Sequence, residues 1–199
     1  MRFSILCDEL TIMIKVAIII GSTWPDRVGE SVGRWVYEQA IKRTDATFEL
    51  IDLHEINLPL LDEPASPSQG RYSQPHTQAW ARKIAPFDAF IFVTAEYNHS
   101  IPAALKNALD FIFAEWNNKA AGFVSYGSVG GARAVEHLRL VASTLAMAHV
   151  RNQVMFSLFD DFENYTRFKP HDRHKDSLRS MLDQLIAWGS AMKTLREKQ

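Results

Sequence analysis

Residues 89–112 read AFIFVTAEYNHSIPAALKNALDFI, and the fold turns on how this stretch changes character. Ala89 to Thr94 is an unbroken apolar run rich in β-formers, the pattern of a strand covered on both faces. It stops at Glu96, Tyr97, Asn98 and His99, four polar or amphipathic residues in a row. Burying such a cluster without partners is costly, so it reads as a surface that meets a ligand. Pro102 suits the first turn of a helix, where its missing N–H has no intrahelical partner to lose. Leu105, Ala108, Leu109 and Ile112 then fall on one helical face.

The same alternation extends in both directions. Lys15 to Ile20 is a β-branched run ending in Gly21, and residues 29–42 follow with helical spacing through Val32, Trp35, Val36 and Ala40. Thr47 to Asp52 is the next expected strand, Ala120 to Tyr126 the fourth, and a fifth lies within Val150 to Ser157. Helices are expected over 76–85, over a stripe of Leu138, Val141, Ala142 and Leu145, and over the C-terminal stripe Leu178, Met181, Leu182, Leu185, Trp188 and Met192. Between Asn57 and Pro75 stand four prolines, Gly70 and several serines, which predict a long irregular connection of the kind that is functional or mobile. Five strands alternating with helices argue for a parallel sheet with helices on both faces. Ligands of such sheets collect beyond the carboxyl ends of the strands, where strand order reverses.

A chain of 199 residues, 47% of them apolar, can bury one sizeable core without a second domain. Residues 1–12 read as an extension outside the fold, since Met13 is an equally good start, leaving 13–199 as a single domain. A formal net charge of −1 offers no basic footprint for nucleic acid or an anionic membrane. The longest apolar stretch is too short to span a bilayer. Cys7 is the single cysteine, no Cys/His set has metal-ligand spacing, and a reducing, cytoplasmic setting is the expectation.

Three segments follow directly on apolar strands, and each has a plain reading beside a chemical one. In GSTWPDRVGES, Ser22, Thr23 and the N–H groups at the helix start can donate to an anion that Arg27 neutralises; a simple strand-to-helix turn is equally consistent. In AEYNHS, Tyr97 offers an aromatic face and Asn98 a donor–acceptor pair for the edge of a flat heterocycle. Glu96 reads better as a brace that fixes its loop than as a general base. SYGSVGG lets a ligand approach the backbone closely and presents N–H groups to developing negative charge, or serves only as a glycine-rich start to the next helix.

Taken together, GSTWPDRVG, AEYNHSIPAALKNALDF and SYGSVGGARAVEHLR, each behind its strand, resemble the NAD(P)H-dependent FMN reductase family of flavodoxin-like proteins. The likeness runs from about Lys15 to Arg139, more loosely through the C-terminal helix. It implies a three-layer α/β/α sandwich on a five-stranded parallel sheet in the order 2-1-3-4-5, with tightly bound FMN. By position, Ser22, Thr23, Arg27 and the backbone near Gly29 would hold the FMN phosphate. Ala95, Glu96, Tyr97 and Asn98 would run along the isoalloxazine and ribityl, and Ser125, Tyr126 and Gly127, with the loop through Gly130, would meet the other part of the ring. Two departures stand out, because the family commonly has Arg in place of Trp24 and Pro in place of Ala95.

The resemblance implies a ping-pong oxidoreductase in which NADPH or NADH gives hydride to FMN and a small acceptor such as a quinone, flavin, azo compound or chromate then takes its place. No side chain is expected to act as a catalyst in its own right, because the cofactor carries the reaction. Dimers or tetramers are implied too, packed through the helix of Lys106 and the segment Phe111 to Trp116. Trp116 is then a subunit contact or a wall of the site, and His99 is either a contact for the acceptor or a neighbouring subunit or, equally, a satisfied surface or interface histidine. Trp35 and Trp188 fit helix stripes and read as core residues, and Arg173 to Lys175 read as a solvated helix start ahead of a contact for the NADPH phosphate. A different class keeps the FMN without turnover, as an electron carrier or redox sensor, and a third is a scaffold that has lost its cofactor.

Overall fold

The computed structural model describes residues 13–198. The expected boundary before Met13, and Cys7 with it, lie outside the described residues. Strand β1 (Ile14–Ile20) leads into helix α1 (Gly29–Ala40) and strand β2 (Ala46–Asp52). A single helical turn α2 (Leu53–Ile56), helix α3 (Pro75–Ile84), strand β3 (Ala89–Ala95) and helix α4 (Ala103–Asp110) follow. Strand β4 (Ala120–Gly127), helix α5 (Ala132–Thr144) and strand β5 (Ala148–Ser157) complete the main sheet, and a small hairpin, β6 (Phe162–Glu163) with β7 (Arg167–Phe168), precedes the long helix α6 (Arg173–Arg196). The sheet runs β2-β1-β3-β4-β5 with every pairing parallel, the order and architecture expected.

The apolar runs split between two faces by the two-residue period of a strand. Val16 and Ile18 of β1, with Ile91 and Val93 of β3, pack against Val32 and Val36 of α1 and Leu178, Met181 and Leu185 of α6. Ala17 and Ile19, with Phe90 and Phe92, face the opposite layer, built from Trp80 and Ile84 of α3, Leu105 and Leu109 of α4 and Leu138 of α5. Both faces of the central strands are covered, which is why their sequences do not alternate with polar residues.

Several expectations about tryptophans and histidines are corrected. Trp116 is fully buried, its indole donating to Leu109 O at 3.2 Å while its ring meets Phe90 edge-on at 4.8 Å. Phe111 and Ile112 are buried too, so these side chains fill the protomer's own core and are not available to a subunit contact. Trp188 is 46% exposed. The inner position is taken by Gly189, where a Cβ would lie 2.7 Å from Ile14 Cδ1; the helix comes so close to β1 that only glycine fits, and Trp188 is turned outward. Trp35 is half-buried and packs edge-on against Phe156 at 5.5 Å. In the segment expected to be solvated, Arg173 and Lys175 are exposed but His174 is buried and hydrogen-bonded to the buried Asp161 at 2.8 Å.

The long connection is fastened by side chains. Asn107 Nδ2 donates to Pro59 O at 2.6 Å and its Oδ1 accepts from Leu61 N at 3.0 Å. The Glu63 carboxylate accepts from the backbone of Ser73 and Gln74, both at 2.9 Å, and Tyr72 donates to Glu115 at 2.8 Å. At the sheet's edge, β5 carries extra residues opposite Ala121–Phe123. There Arg139 lies over the Phe123 ring at 4.8 Å and donates to Val150 O at 2.8 Å and Arg151 O at 3.0 Å.

Trp116→Ala is expected to lower the free energy of unfolding by about 3–5 kcal/mol, through lost burial and the cavity left behind. Trp188→Ala should shift it by about 0.5 kcal/mol or less, as for an exposed position. Urea denaturation curves compare the two, and equal losses would contradict the assigned packing of α6.

Candidate functional site

Strand order reverses between β1 and β3, since the chain leaves β1 towards β2 on one side and returns to β3 on the other. The loops beyond these two strands diverge and leave a crevice there, the general ligand position in open α/β sheets. A cleft of about 400 Å³ lies at that place, within the size range of small-molecule sites. Its walls are the 24–28 loop, Ala95 at the end of β3 with Glu96 and Tyr97 beyond it, Tyr126 and Gly127 at the end of β4, Leu158 just after β5, and Tyr165 and Thr166 from the hairpin.

The 22–28 loop opens onto an incompletely satisfied helix start. The first N–H groups of any helix lack intrahelical partners, and no side chain caps α1 among the described residues. Arg27, with a side chain 10% exposed, forms an ion pair through Nη2 with the Asp52 carboxylate at the end of β2. Its Nε is buried without any hydrogen-bond partner. An unpaired buried donor costs about 1–3 kcal/mol, so the guanidinium is held with donor capacity unspent.

Gly29 begins α1 directly beneath Tyr126, where a Cβ would lie 2.5 Å from the phenol oxygen. Burial pushes the Tyr126 phenol well above its ordinary range, so it remains neutral. Ser22 is fully buried and its hydroxyl shares a 3.0 Å hydrogen bond with the Tyr97 hydroxyl. Trp24, 63% exposed, meets the Tyr97 ring edge-on at 5.6 Å.

Beyond β3 the chain makes a tight two-residue turn. Tyr97 and Ser100 exchange backbone hydrogen bonds of 2.9 and 3.0 Å across Asn98 and His99, both at positive φ. Paired left-handed residues define this class of hairpin turn, and Asn and His tolerate it better than most. Asn98 and His99 are exposed. Glu96 turns inward instead, its side chain 3% exposed. Its carboxylate accepts from Arg133 Nε at 2.6 Å, Arg133 N at 3.1 Å and Ala134 N at 3.4 Å. Burial works against ionisation, yet the Arg133 guanidinium and the Ala134 N–H together hold the carboxyl below its usual range. At neutral pH Glu96 is therefore an ionised cap on α5, placed as a brace for its loop.

The cleft brings together Arg27, Ala95, Glu96, Tyr97, Tyr126 and Gly127 of the expected site residues. Ser22 and Gly29 lie behind this wall, touching Tyr97 and Tyr126 respectively. Thr23 lines a separate cavity of about 100 Å³ with His54, Asn57 and Asn107. Ser125 is buried and donates to Gly130 O at 2.7 Å, so it braces the loop, while Gly130 is itself buried with φ +70°. Sequence reasoning missed Asp52, Tyr165 and Thr166. Asp52 is read only as the last residue of a strand, and Asn164 and Tyr165, both at positive φ, form a tight turn that the sequence does not announce.

Glu96→Gln is expected to destabilise the protein by about 1–3 kcal/mol at neutral pH, the range for a lost charge-assisted hydrogen bond. Because the folded-state carboxyl titrates below the unfolded value of 4.5, this contribution is complete above that value and fades as pH falls through the folded one. Thermal melts of both proteins should therefore converge in acid, and a difference that persists there would exclude the ionised cap.

Comparison with known proteins agrees with this geometry. Residues 14–161 match the family model described as NADPH-dependent FMN reductase. An NAD(P)H-dependent FMN reductase of Schizosaccharomyces pombe is 42% identical over 140 residues, covering 69% of this chain and 70% of its own length. A 2-hydroxy-1,4-benzoquinone reductase of Burkholderia sp. is 26% identical over 184 residues, covering 88% and 96%. Among solved structures, the flavoenzyme NAD(P)H:(acceptor) oxidoreductase FerB of Paracoccus denitrificans superposes with a TM-score of 0.71 at 19% identity, covering 90% of this chain and 99% of the other. With the sheet order, the cleft and the match across most of the chain in agreement, this protein belongs to the NADPH-dependent FMN reductase family.

Proposed function

We propose that the chain is an FMN-dependent oxidoreductase that draws reducing equivalents from NADPH or NADH and delivers them to a small acceptor of the quinone class. When bound, FMN would supply the two-electron chemistry between nicotinamide and acceptor. The protein's part is to hold, orient and shield. The observation that carries the reading is Arg27, a nine-tenths buried guanidinium on the cleft wall whose Nε has no partner.

In this reading Arg27 and the uncapped start of α1 receive the phosphate, the interaction for which helix N-termini are suited. Ser22 and Gly29 set the loop behind it. Ala95, Tyr97 and the turn at Asn98 border the flat ring and its chain, and Tyr126 and Gly127 close the opposite wall. Thr23, Ser125 and Gly130 act by shaping their loops. Glu96, held by Arg133, keeps the β3 turn and the start of α5 in register, so the two loops that flank the ring hold a fixed spacing. The quinone class is supported by the name of the Burkholderia relative. No described helix is long and apolar enough to cross a membrane, and a cytoplasmic setting is inferred from the single cysteine.

A homodimer or homotetramer is part of the same proposal. The outer sides of α4 and α5 support it: Lys106, Asp110, Leu140 and Val141 line a shallow surface depression, with Leu140 70% exposed. Leu60, on the fastened connection, is 82% exposed.

The purified protein should show oxidised-flavin absorbance that bleaches anaerobically with NADPH or NADH. Initial rates with nicotinamide and quinone both varied should give parallel reciprocal lines; intersecting lines exclude a cycle in which the two share one position. Arg27→Ala should lower FMN affinity by about tenfold or more, the worth of one charge-assisted contact, read as flavin per chain after gel filtration. Light scattering at micromolar concentration should give two or four chain masses, and a single-chain mass refutes the oligomer.

A further inference from the structure

We propose that Asp52 is a built-in counter-charge that limits the grip of the cleft on the flavin phosphate, so that this protein discriminates only modestly between FMN and unphosphorylated riboflavin. The inference rests on the flavin-binding reading above. Among the described residues lining the cleft, Arg27 is the one cation, accompanied by the acids Asp26 and Glu96. The charge of Glu96 is met by Arg133. That of Arg27 is met by Asp52, which is largely buried with a side chain 12% exposed.

Asp52 is fixed at both oxygens. Oδ2 accepts from Arg27, and Oδ1 accepts from His54 N at 2.9 Å, capping the α2 turn. The carboxylate therefore stays in place when an anion arrives. A phosphate at Arg27 meets a guanidinium whose charge is already balanced, with the additional negative charge of Asp26 on the loop. What remains to hold it is directional: the open guanidinium donors and the N–H groups at the start of α1. Such contacts orient a phosphate but add little long-range attraction, whereas the apolar and aromatic walls bind the ring in either flavin.

The test is titration of the full chain with FMN and, separately, with riboflavin, followed by quenching of flavin fluorescence. Asp52→Asn keeps the capping acceptor and removes the charge; it should tighten FMN by about tenfold and alter riboflavin by less than about twofold, the scale of one unit charge a few ångströms away at a partly desolvated site. Arg27→Gln should weaken FMN by about tenfold, and the double variant should return to within about threefold of the unaltered chain because both charges leave together. Weaker FMN binding in Asp52→Asn, or equal shifts for both flavins, overturns the proposal and makes Asp52 a positioning or purely structural residue. A measurement without any variant serves should Asp52→Asn fail to fold: raising salt should affect FMN and riboflavin almost alike, and steep loss of FMN alone refutes the silenced charge. If neither flavin binds the unaltered chain, the flavin reading itself fails along with this one; if both bind but the variants and salt do not behave as stated, only the counter-charge is lost.

Discussion

The parting of β1 and β3 at their carboxyl ends governs the rest of the molecule. Parallel strands must be joined by crossovers, and a sheet covered on both faces sends those crossovers to opposite layers. Where successive crossovers run in opposite directions along the sheet, the loops at the strand ends cannot cover one another. The 22–28 loop belongs to the layer of α1, and the turn after β3 leads to α4 on the other face. The cleft is the space between them, lined from the ends of β1, β3 and β4 and closed by Tyr165 and Thr166 of the small hairpin.

The buried and largely buried acids show how a small domain keeps charges near its core without unfolding. Each buried acid meets a donor: Glu96 with Arg133 and two backbone N–H groups, Asp161 with His174 and Ser157 N, Asp52 with Arg27 and His54 N. Breaking such an arrangement costs more than forming it gains, since the remaining partner is left desolvated. Arg27 departs from this pattern because its Nε is enclosed without an acceptor. Unsatisfied donors are scarce in native interiors, and one at the mouth of a ligand-sized cleft has a straightforward explanation in what the cleft receives.

Much of this was legible in the sequence, for identifiable reasons. The strands are apolar runs too short for helices, and the three mouths follow them directly, so a parallel sheet with its ligand loops at the strand ends emerges from pattern alone, while the strand order came only with the family resemblance. The phase of α6 did not, because Trp188 and Gly189 are both compatible with a stripe through Leu185; choosing between them requires knowing that Ile14 fills the space where a side chain would go. The partner of Arg27 was hidden because β2 brings Asp52 alongside the first loop only once the sheet has formed. The wall made by Tyr165 and Thr166 was hidden for another reason: strands of two residues, as in β6 and β7, have no periodicity to detect. The environment of Trp116 was misjudged because an aromatic residue after a helix is read from sequence as easily on a surface as inside.

Arg139 bears on how copies of this chain can meet. An outermost strand normally exposes carbonyl oxygens to any extended segment that drifts past, inviting ribbon-like polymerisation. Here the outer strand is distorted, and a guanidinium reaching across from the neighbouring helix has claimed the oxygens of Val150 and Arg151. A foreign strand arriving at that stretch finds its hydrogen-bonding sites occupied and its register interrupted. Along this edge, backbone pairing with a second extended chain is therefore disfavoured.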